Sequence, residues 1–337
     1  MTAPQRLGFF SRLLDEAAPA ERYRLATEQI VHAEANGYNT AWVAQHHFNG
    51  SEGGLPAPLV FLAHAAAKTT RIRLATGIIT LPLEQPVRVA EDAAVLDALS
   101  GGRLEIGVGS GGTPTSFTAF GQDSTNRSAT FGDHLAILRT AWRGDELDGG
   151  SVIYPPAPAL SDRIWQATFS TSGGARAGAA SDGVMLSRTQ PRSEDHPRAS
   201  LSALQEPIID AYLGALPSGT LPRIGGSRSL FVADDRGEAR RFAEAGLRSH
   251  AGQFGTHPSD SLDELIRAFD VHVGTPDDVI TSLAADTALA RATDIIFQVH
   301  SVDPPHEHIL RSIELTAQLV APALGWSRSD RQDALTP

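Results

Sequence analysis

Two adjacent histidines, His46 and His47, close an apolar run of strand character, AWVAQHHFNG. Histidines that bind one metal ion from a single strand are expected two positions apart, because alternate residues of a strand point to the same face. The adjacent pair therefore argues against a metal-dependent hydrolase, and we expect no metal. A neutral imidazole can instead exchange a proton near physiological pH or hydrogen-bond to a substrate, so we predict that His46 is catalytic. The alternative is a structural hydrogen bond to a buried carbonyl.

Hydroxyls and glycines cluster in a second segment, STSGG, just before a predicted helix. A helix N-terminus that presents backbone N–H groups and hydroxyls is a natural site for an anion such as phosphate. The candidate phosphate ligands are Ser170, Thr171, Ser172, Gly173 and Gly174. The alternative is an ordinary helix cap at Ser172. Arg176, near the start of that helix, could add positive charge or could be a solvated helix residue.

Strand-like and helix-like runs alternate along the whole chain. The predicted strands are RLGFF, TAWVAQHHF, RIRLATGIITLP, RLEIGVGSGG, RIWQATF, GVMLS, RSLFVAD and DIIFQVH. Eight strands joined by helices predict an α/β fold, a (β/α)8 TIM barrel with loop insertions at its C-terminal face. We expect the fifth strand to end near Phe169 and the insertions to be segments 145–161 and 188–226. A doubly wound sheet in two domains is the alternative.

The barrel prediction places function at the C-terminal ends of the strands, where the histidines and the STSGG segment lie. His300, at the end of the last strand, could line this pocket or merely terminate the strand. We predict a single domain over residues 1–326 and a flexible tail over residues 327–337.

Composition restricts the class of protein further. The 337 residues carry a formal net charge of −11, which argues against nucleic-acid binding because that function needs a basic surface. Without cysteine there is no disulfide and no thiolate chemistry. The N-terminus lacks the apolar core of a signal peptide, and no run approaches the roughly 20 residues that span a bilayer. We therefore expect a soluble, cytoplasmic protein that does not associate with membranes.

Four blocks of the sequence resemble a known family. AWVAQHHF, RIRLATGIITLP, PVRVAEDAAVLDALSGGRLEIGVGSGG and STSGGARAGAASDGVMLS look like successive blocks of the bacterial luciferase-like flavin-dependent monooxygenases. The resemblance covers residues 7–187 well and the GTPDDV block at 274–279 more loosely. It implies a TIM barrel that binds reduced flavin mononucleotide (FMN), or in one branch a deazaflavin, at the C-terminal face. It also implies dioxygen, a small organic substrate and a separate flavin reductase as partners, and we expect a homodimer.

The resemblance also assigns residues to the cofactor site. Gly77 and Ile78 match a position where the family carries a non-prolyl cis peptide under the flavin ring, and glycine lowers the cost of such geometry. Gly109 and Ser110 align with a cysteine and an arginine beside the flavin, so this chain lacks that cation. His46 and His47 match a histidine pair beside the flavin, where Gln45 replaces the usual acid.

The predicted function is a flavin-dependent monooxygenase that uses reduced FMN and dioxygen. Two alternatives stay open: a deazaflavin-dependent hydride-transfer enzyme on the same barrel, and a flavin-binding protein without catalysis. No motif in the predicted loops names the substrate.

Overall fold

The computed structural model describes residues 4–327, which form a closed parallel barrel surrounded by helices. Eight strands make the barrel: β1 (Arg6–Ser11), β2 (Thr40–Val43), β3 (Arg73–Thr76), β5 (Leu104–Gly109), β6 (Ile164–Ala167), β7 (Gly183–Leu186), β8 (Ile224–Val232) and β10 (Asp294–Gln298). Each strand pairs in parallel with its neighbour, and β10 pairs with both β1 and β8, which closes the sheet. The predicted TIM barrel is confirmed, and its fifth strand ends at Ala167, two residues before the expected position.

Two further strands lie outside the eight. The short β4 (Ile79–Thr80) pairs with the end of β5, and β9 (Val271–Gly274) pairs with the outer half of β8. The sequence did not predict β9. The prediction of an insertion over 188–226 was wrong in part, because that segment contains a regular barrel helix. The long excursion instead joins β8 to β10 and carries three helices together with β9.

The helices follow the strands in the order that the barrel requires. They are α1 (Pro19–Ala35), α2 (Pro58–Ala66), α3 (Pro86–Leu99), α4 (Pro114–Ala119), α5 (Arg127–Arg143), α6 (Thr171–Ala179), α7 (Leu201–Ala215), α8 (Arg236–Ser249), α9 (Leu262–Ala268), α10 (Pro276–Ala284), α11 (His306–Leu315) and α12 (Ala321–Ala323). Proline opens several of them, because its fixed φ suits the first helical turn and its missing N–H is not needed there. Within residues 4–327, none of the helices is both long and apolar enough to cross a bilayer.

A compact apolar cluster fills the interior of the barrel. It consists of Phe10, Trp42, Ala44, Ala75, Trp165, Met185 and Ile296. The rings of Trp42 and Trp165 meet edge to face with centroids 5.4 Å apart, and the Trp165 indole donates to Glu105 (2.7 Å). Partly exposed Ile78 and Ala167 pack against this cluster. A filled interior leaves only the C-terminal end of the barrel for a ligand, as is usual for this architecture.

A buried ion pair ties β8 to the excursion that follows it. Arg228 is fully buried, and its guanidinium donates from Nε and Nη2 to the two oxygens of Asp286, at 2.6 and 3.1 Å. Burial alone would raise the pKa of Asp286, but Arg228 and the nearby His272 hold that pKa far below its usual value. The pair is therefore fully ionised, and each charge depends on the other.

The termini of the described segment meet beside the barrel. Ser327 forms a parallel bridge with Arg6 at the start of β1. Apart from Ser327, the predicted tail over 327–337 lies outside the described residues, and its flexibility stays a prediction.

Candidate active site

The floor of the site is an apolar surface at the C-terminal ends of β3 and β5. The peptide bond between Gly77 and Ile78 is cis, as the family resemblance implied. Gly77 packs on the barrel interior, since a Cβ at this position would lie 2.7 Å from Phe10 Cε2. The Ile78 side chain covers Gly109, where a Cβ would lie 2.8 Å from Ile78 Cδ1. Glycine at both positions thus leaves room for the side chains of Phe10 and Ile78, and Ser110 directly follows Gly109 in the chain.

The STSGG segment forms the N-terminus of α6, but its cap differs from the expected one. The helix begins at Thr171, and Ser170 rather than Ser172 is the cap, because the Ser170 hydroxyl accepts from the Gly173 N–H (3.1 Å). Ser172 Oγ lies 3.1 Å from Ser170 Oγ. Thr171 and Ser172 are exposed, and their N–H groups lie in the first turn, where a helix supplies no acceptors of its own. An anion can be bound at these two residues and the cap.

The two glycines of this segment serve the packing of the helix. Gly173 and Gly174 are both buried. A Cβ at Gly173 would collide with the Thr168 side chain, and a Cβ at Gly174 would lie 2.6 Å from the carbonyl oxygen of Ile208 on α7. Glycine therefore allows α6 to sit close to the end of β6 and to α7, which fixes the hydroxyls at the barrel mouth.

Arg176 lies one turn further along α6 and already has two contacts. Its Nε donates to Gln166 Oε1 (2.9 Å), and its guanidinium lies 5.2 Å from the centre of the Phe131 ring. Burial lowers the pKa of Arg176. These contacts direct the side chain toward α5.

His46 and His47 lie in the loop after β2, because the strand ends at Val43 rather than at the histidines. The backbone N–H of His46 donates to the Leu55 carbonyl (2.9 Å), and Gly53 packs directly against the imidazole. Burial, with smaller contributions from Arg12, His47 and His300, lowers the pKa of His46 to about 4. His46 is therefore neutral at physiological pH and can donate one hydrogen bond and accept another.

His47 points into a different environment from its neighbour. Its ring meets Phe120 edge to face at 4.8 Å and lies 5.9 Å from the ring of Phe48. Its Nε2 is buried and has no hydrogen-bond partner among residues 4–327. Burial also lowers the pKa of His47, against a smaller opposing influence of Glu84. The two rings therefore lie in different surroundings.

Gln45, which replaces the acid of the family pattern, joins two loops. It donates to Glu84 Oε1 (2.7 Å) and accepts from the Thr80 N–H (2.7 Å). These bonds hold the loop after β2 against β4 and the turn after it. Gln45 thus supports the shape of the floor and makes no hydrogen bond to His46.

A cavity of about 680 Å³ opens at the C-terminal ends of β1 and β10, and its lining does not include His46, Ile78 or the hydroxyls at 170–172. Its polar lining includes Arg12, Gln298, His300 and Asp303. His300 Nδ1 lies 2.6 Å from Asp303 Oδ2, and burial lowers the pKa of His300 to about 4 in spite of that carboxylate. His300 therefore lines the pocket, which is one of the two roles that its position at the end of a strand allowed.

Sequence reasoning missed three charged residues near this cavity: Arg12, Arg188 and Asp303. The sequence could have indicated these residues, because each follows a predicted strand within a few residues, where the C-terminal face of the barrel lies. His250, His300 and Asp303 also bring ligand atoms within 4.8 Å of one another, a spacing that a metal ion could use. Arg12 and Arg188 interact electrostatically with His300, and their positive charge opposes a cation there.

Comparison with known proteins gives matches over nearly the whole chain. The family model for luciferase-like monooxygenases matches residues 8–293. Uncharacterized protein y4vJ from Sinorhizobium fredii is 29% identical over 330 residues, which cover 89% of this chain and 91% of that protein. The structure of monooxygenase RslO1 from Streptomyces bottropensis has a TM-score of 0.77 at 26% identity and covers 95% of this chain and 99% of its own. These matches confirm the resemblance drawn from the four sequence blocks.

Two more distant solved structures share the fold. The oxygenating constituent of 3,6-diketocamphane monooxygenase from Pseudomonas putida, solved with FMN, has a TM-score of 0.74 at 19% identity, over 97% of this chain and 100% of its own. The coenzyme F420 dependent tetrahydromethanopterin reductase from Methanopyrus kandleri has a TM-score of 0.66 at 19% identity, over 95% and 99%. The same barrel thus serves both FMN and the deazaflavin F420 in these proteins.

Proposed function

The chain belongs to the luciferase-like monooxygenase family, and we propose that it is the oxygenase of a two-component system that takes reduced FMN from a separate reductase. One observation carries this proposal. The floor at Gly77, Ile78 and Gly109 and the hydroxyl turn at 170–172 follow neighbouring strands, because β3 and β4 pair with β5 and β5 pairs with β6. The proposed apolar surface and the proposed phosphate site therefore follow neighbouring strands on the C-terminal face.

The residues present fit FMN in shape and in chemistry. An isoalloxazine ring needs a flat, mostly apolar surface, which Ile78 and Ala167 offer above the filled barrel. A phosphate needs N–H and hydroxyl donors, which Ser170, Thr171 and Ser172 offer at the N-terminus of α6. Gly109 and Ser110 border the floor, and Gly173 and Gly174 hold the turn in place. Arg176 adds to the positive charge of this region from one turn away.

Reduced flavin supplies the reaction of dioxygen and the transfer of one oxygen atom to a small organic substrate. The task of this chain is to orient the reactants and to keep bulk water away from them. We propose that neutral His46 accepts a proton at an imidazole nitrogen as the substrate is oxidised. His47, between Phe48 and Phe120, closes the site on the solvent side.

The choice between FMN and a deazaflavin is tested by anaerobic titration of the protein with reduced FMN and with reduced F420. We expect tighter binding of reduced FMN, because the exposed turn at 170–172 suits a terminal phosphate. Tighter binding of F420, followed by hydride transfer without oxygen uptake, would favour the second type of enzyme found on this barrel. Tight flavin binding without any oxidised product across a substrate screen would favour a non-catalytic role.

Ser172→Asp should weaken FMN binding by roughly tenfold or more. Two like charges about 4 Å apart near a protein surface oppose each other by on the order of 1–4 kcal/mol. The fold should survive, since a carboxylate in the first turn of a helix is favourable. Isothermal titration with FMN and with riboflavin, which lacks the phosphate, checks this expectation.

The matched control is Ser172→Asn, which has nearly the same size without the charge. We expect the aspartate variant to bind riboflavin as the wild type does, and the asparagine variant to keep most of its FMN affinity. An unchanged FMN affinity in Ser172→Asp at low salt would place the phosphate elsewhere.

A further inference from the structure

A buried arginine without a partner lies at the mouth of the barrel. Arg188, two residues after β7, is 3% exposed, and its Nε and Nη1 have no hydrogen-bond partner among residues 4–327. A guanidinium keeps its proton in proteins, so burial without a partner is costly. Burial and the nearby Arg12 lower the pKa of Arg188 to about 9, which still leaves it charged at physiological pH. No carboxylate of residues 4–327 hydrogen-bonds to these two nitrogens, so the guanidinium can bind a further anion.

The side chain of Arg188 reaches across the barrel opening. In the sheet, β8 and β10 separate β7 from β1. Arg188 nevertheless interacts electrostatically with Arg12, which follows β1, and with Asp303, which follows β10. A residue from β7 can do so only if its guanidinium extends over the C-terminal end of the barrel, toward the cavity that Arg12 and Asp303 line.

The surroundings of Arg188 hold further unsatisfied polar atoms. Buried Arg12 Nε and Ser301 Oγ have no hydrogen-bond partner within residues 4–327. Asp303, the acid nearest to both guanidiniums, has its carboxylate bound to His300 at 2.6 Å. His46 and His300 are neutral, because their pKa values are lowered to about 4. Neither Asp303 nor Glu52, the carboxylates that act on Arg12, hydrogen-bonds to Arg188 Nε or Nη1, so this guanidinium can bind a ligand.

We propose that Arg188 and Arg12 bind a carboxylate of the substrate at the mouth of the barrel. A guanidinium presents its N–H groups as a planar fork that matches two carboxylate oxygens. The adjoining cavity of about 680 Å³ is of small-molecule size and carries apolar side chains such as Phe10, Phe242 and Ile309. The substrate class is therefore a small organic acid with an apolar body.

This assignment rests on the proposed function, because it takes the barrel mouth as the place where substrate meets cofactor. Gln190, in the same loop as Arg188, donates to the carbonyl of Phe169 (3.0 Å), directly before the proposed phosphate turn. The loop after β7 therefore borders both the carboxylate site and the flavin site. The anionic edge of a reduced flavin is a second source of the same chemistry, and the experiment separates the two sources.

The experiment uses benzoate and hexanoate as probes, with benzamide and hexanamide as neutral counterparts of the same shape. Isothermal titration is done first without flavin and then with reduced FMN, on the wild type, Arg188→Met and Arg188→Lys. We expect the acids and not the amides to bind the wild type, and we expect Arg188→Met to weaken the acids at least tenfold, as charge-assisted hydrogen bonds imply. Arg188→Lys should keep part of the affinity, and reduced FMN should bind all three proteins equally.

Thermal melting without ligand gives an independent readout. Removing an unpartnered buried charge should leave the melting temperature of Arg188→Met unchanged or higher, whereas a structural role for Arg188 predicts a marked fall.

Three outcomes would overturn the proposal: equal binding of acids to the wild type and Arg188→Met, no binding of acids to the wild type, or a marked fall in the melting temperature of Arg188→Met. A loss confined to reduced FMN in Arg188→Met would also overturn it, because the anion would then belong to the cofactor. If the acids bind as expected but FMN does not bind, the proposed function fails and the carboxylate site stands.

Discussion

His46→Asn is expected to lower the rate of product formation by about 10²–10⁴-fold, the usual contribution of a general acid or base. The affinity for reduced FMN should change little, because the proposed phosphate turn on α6 and the floor at Ile78 follow strands other than β2, which precedes His46. Asparagine keeps the polarity and approximate size of histidine but cannot accept or release a proton. Single-turnover measurement with a fixed supply of reduced FMN, alongside flavin titration, gives both quantities on the same variant.

The competing interpretation of His46 is a structural one, and it predicts a different pattern. In that case His46→Asn would melt at a lower temperature, and its activity would fall only in proportion to the folded fraction. A matched control is His47→Asn, which changes the neighbouring ring that packs on Phe120. A destabilised but fully active His46→Asn would remove His46 from the catalytic mechanism.

The lowered pKa of His46 also predicts how stability depends on pH. Between the usual histidine pKa of 6.5 and the folded value of about 4, the unfolded chain binds a proton at His46 that the folded chain does not. The free energy of unfolding should therefore fall as the pH falls through this window. His46→Asn removes this contribution, so the variant should lose less stability than the wild type between pH 6.5 and 4, as measured by urea unfolding.

Arg228→Ala is expected to lower the free energy of unfolding by about 3–5 kcal/mol, the cost of breaking a buried ion pair from one side. The change leaves the Asp286 carboxylate buried without the guanidinium that holds it ionised. Each kcal/mol shifts the melting temperature by roughly 2–4 °C in domains of 150–250 residues, so calorimetry should show a large change.

The chain offers a matched control for Arg228. Arg236 also pairs with an aspartate, Asp278, but its side chain is 67% exposed. Arg236→Ala should lower the free energy of unfolding far less, because exposed ion pairs contribute little. Equal losses in the two variants would show that burial does not govern the strength of the Arg228 pair.

The barrel could be predicted because its strands are local, apolar patterns. Runs such as RLGFF and DIIFQVH are readable one at a time, and a parallel sheet follows from the helices between them. β9 could not be predicted in this way, since Val271–Gly274 has only two large apolar residues, Val271 and Val273, and they flank His272. Its strand character depends on the outer half of β8, which is distant in sequence.

The candidate site was predictable only in part, for the same reason. His46 and the STSGG segment are visible as unusual residues after apolar runs, and the structure places both at the barrel mouth. The choice of Ser170 over Ser172 as the helix cap depends on how Gly173 and Gly174 pack against Thr168 and Ile208. Likewise, Arg12 and Arg188 are 176 positions apart by their residue numbers. Only closure of the barrel brings them near the same cavity.

We propose that this chain brings reduced FMN and dioxygen together at the C-terminal end of the barrel. The most direct test mixes the anaerobic complex of protein and reduced FMN with oxygenated buffer, and follows oxygen uptake together with the absorbance of oxidised flavin. We expect oxygen to be taken up before the absorbance returns, and we expect the absorbance to return more slowly than for free reduced FMN. The proposal would be contradicted if oxygen uptake and the return of absorbance occurred together at the rate of free reduced FMN. It would also be contradicted if the protein and reduced FMN formed no complex.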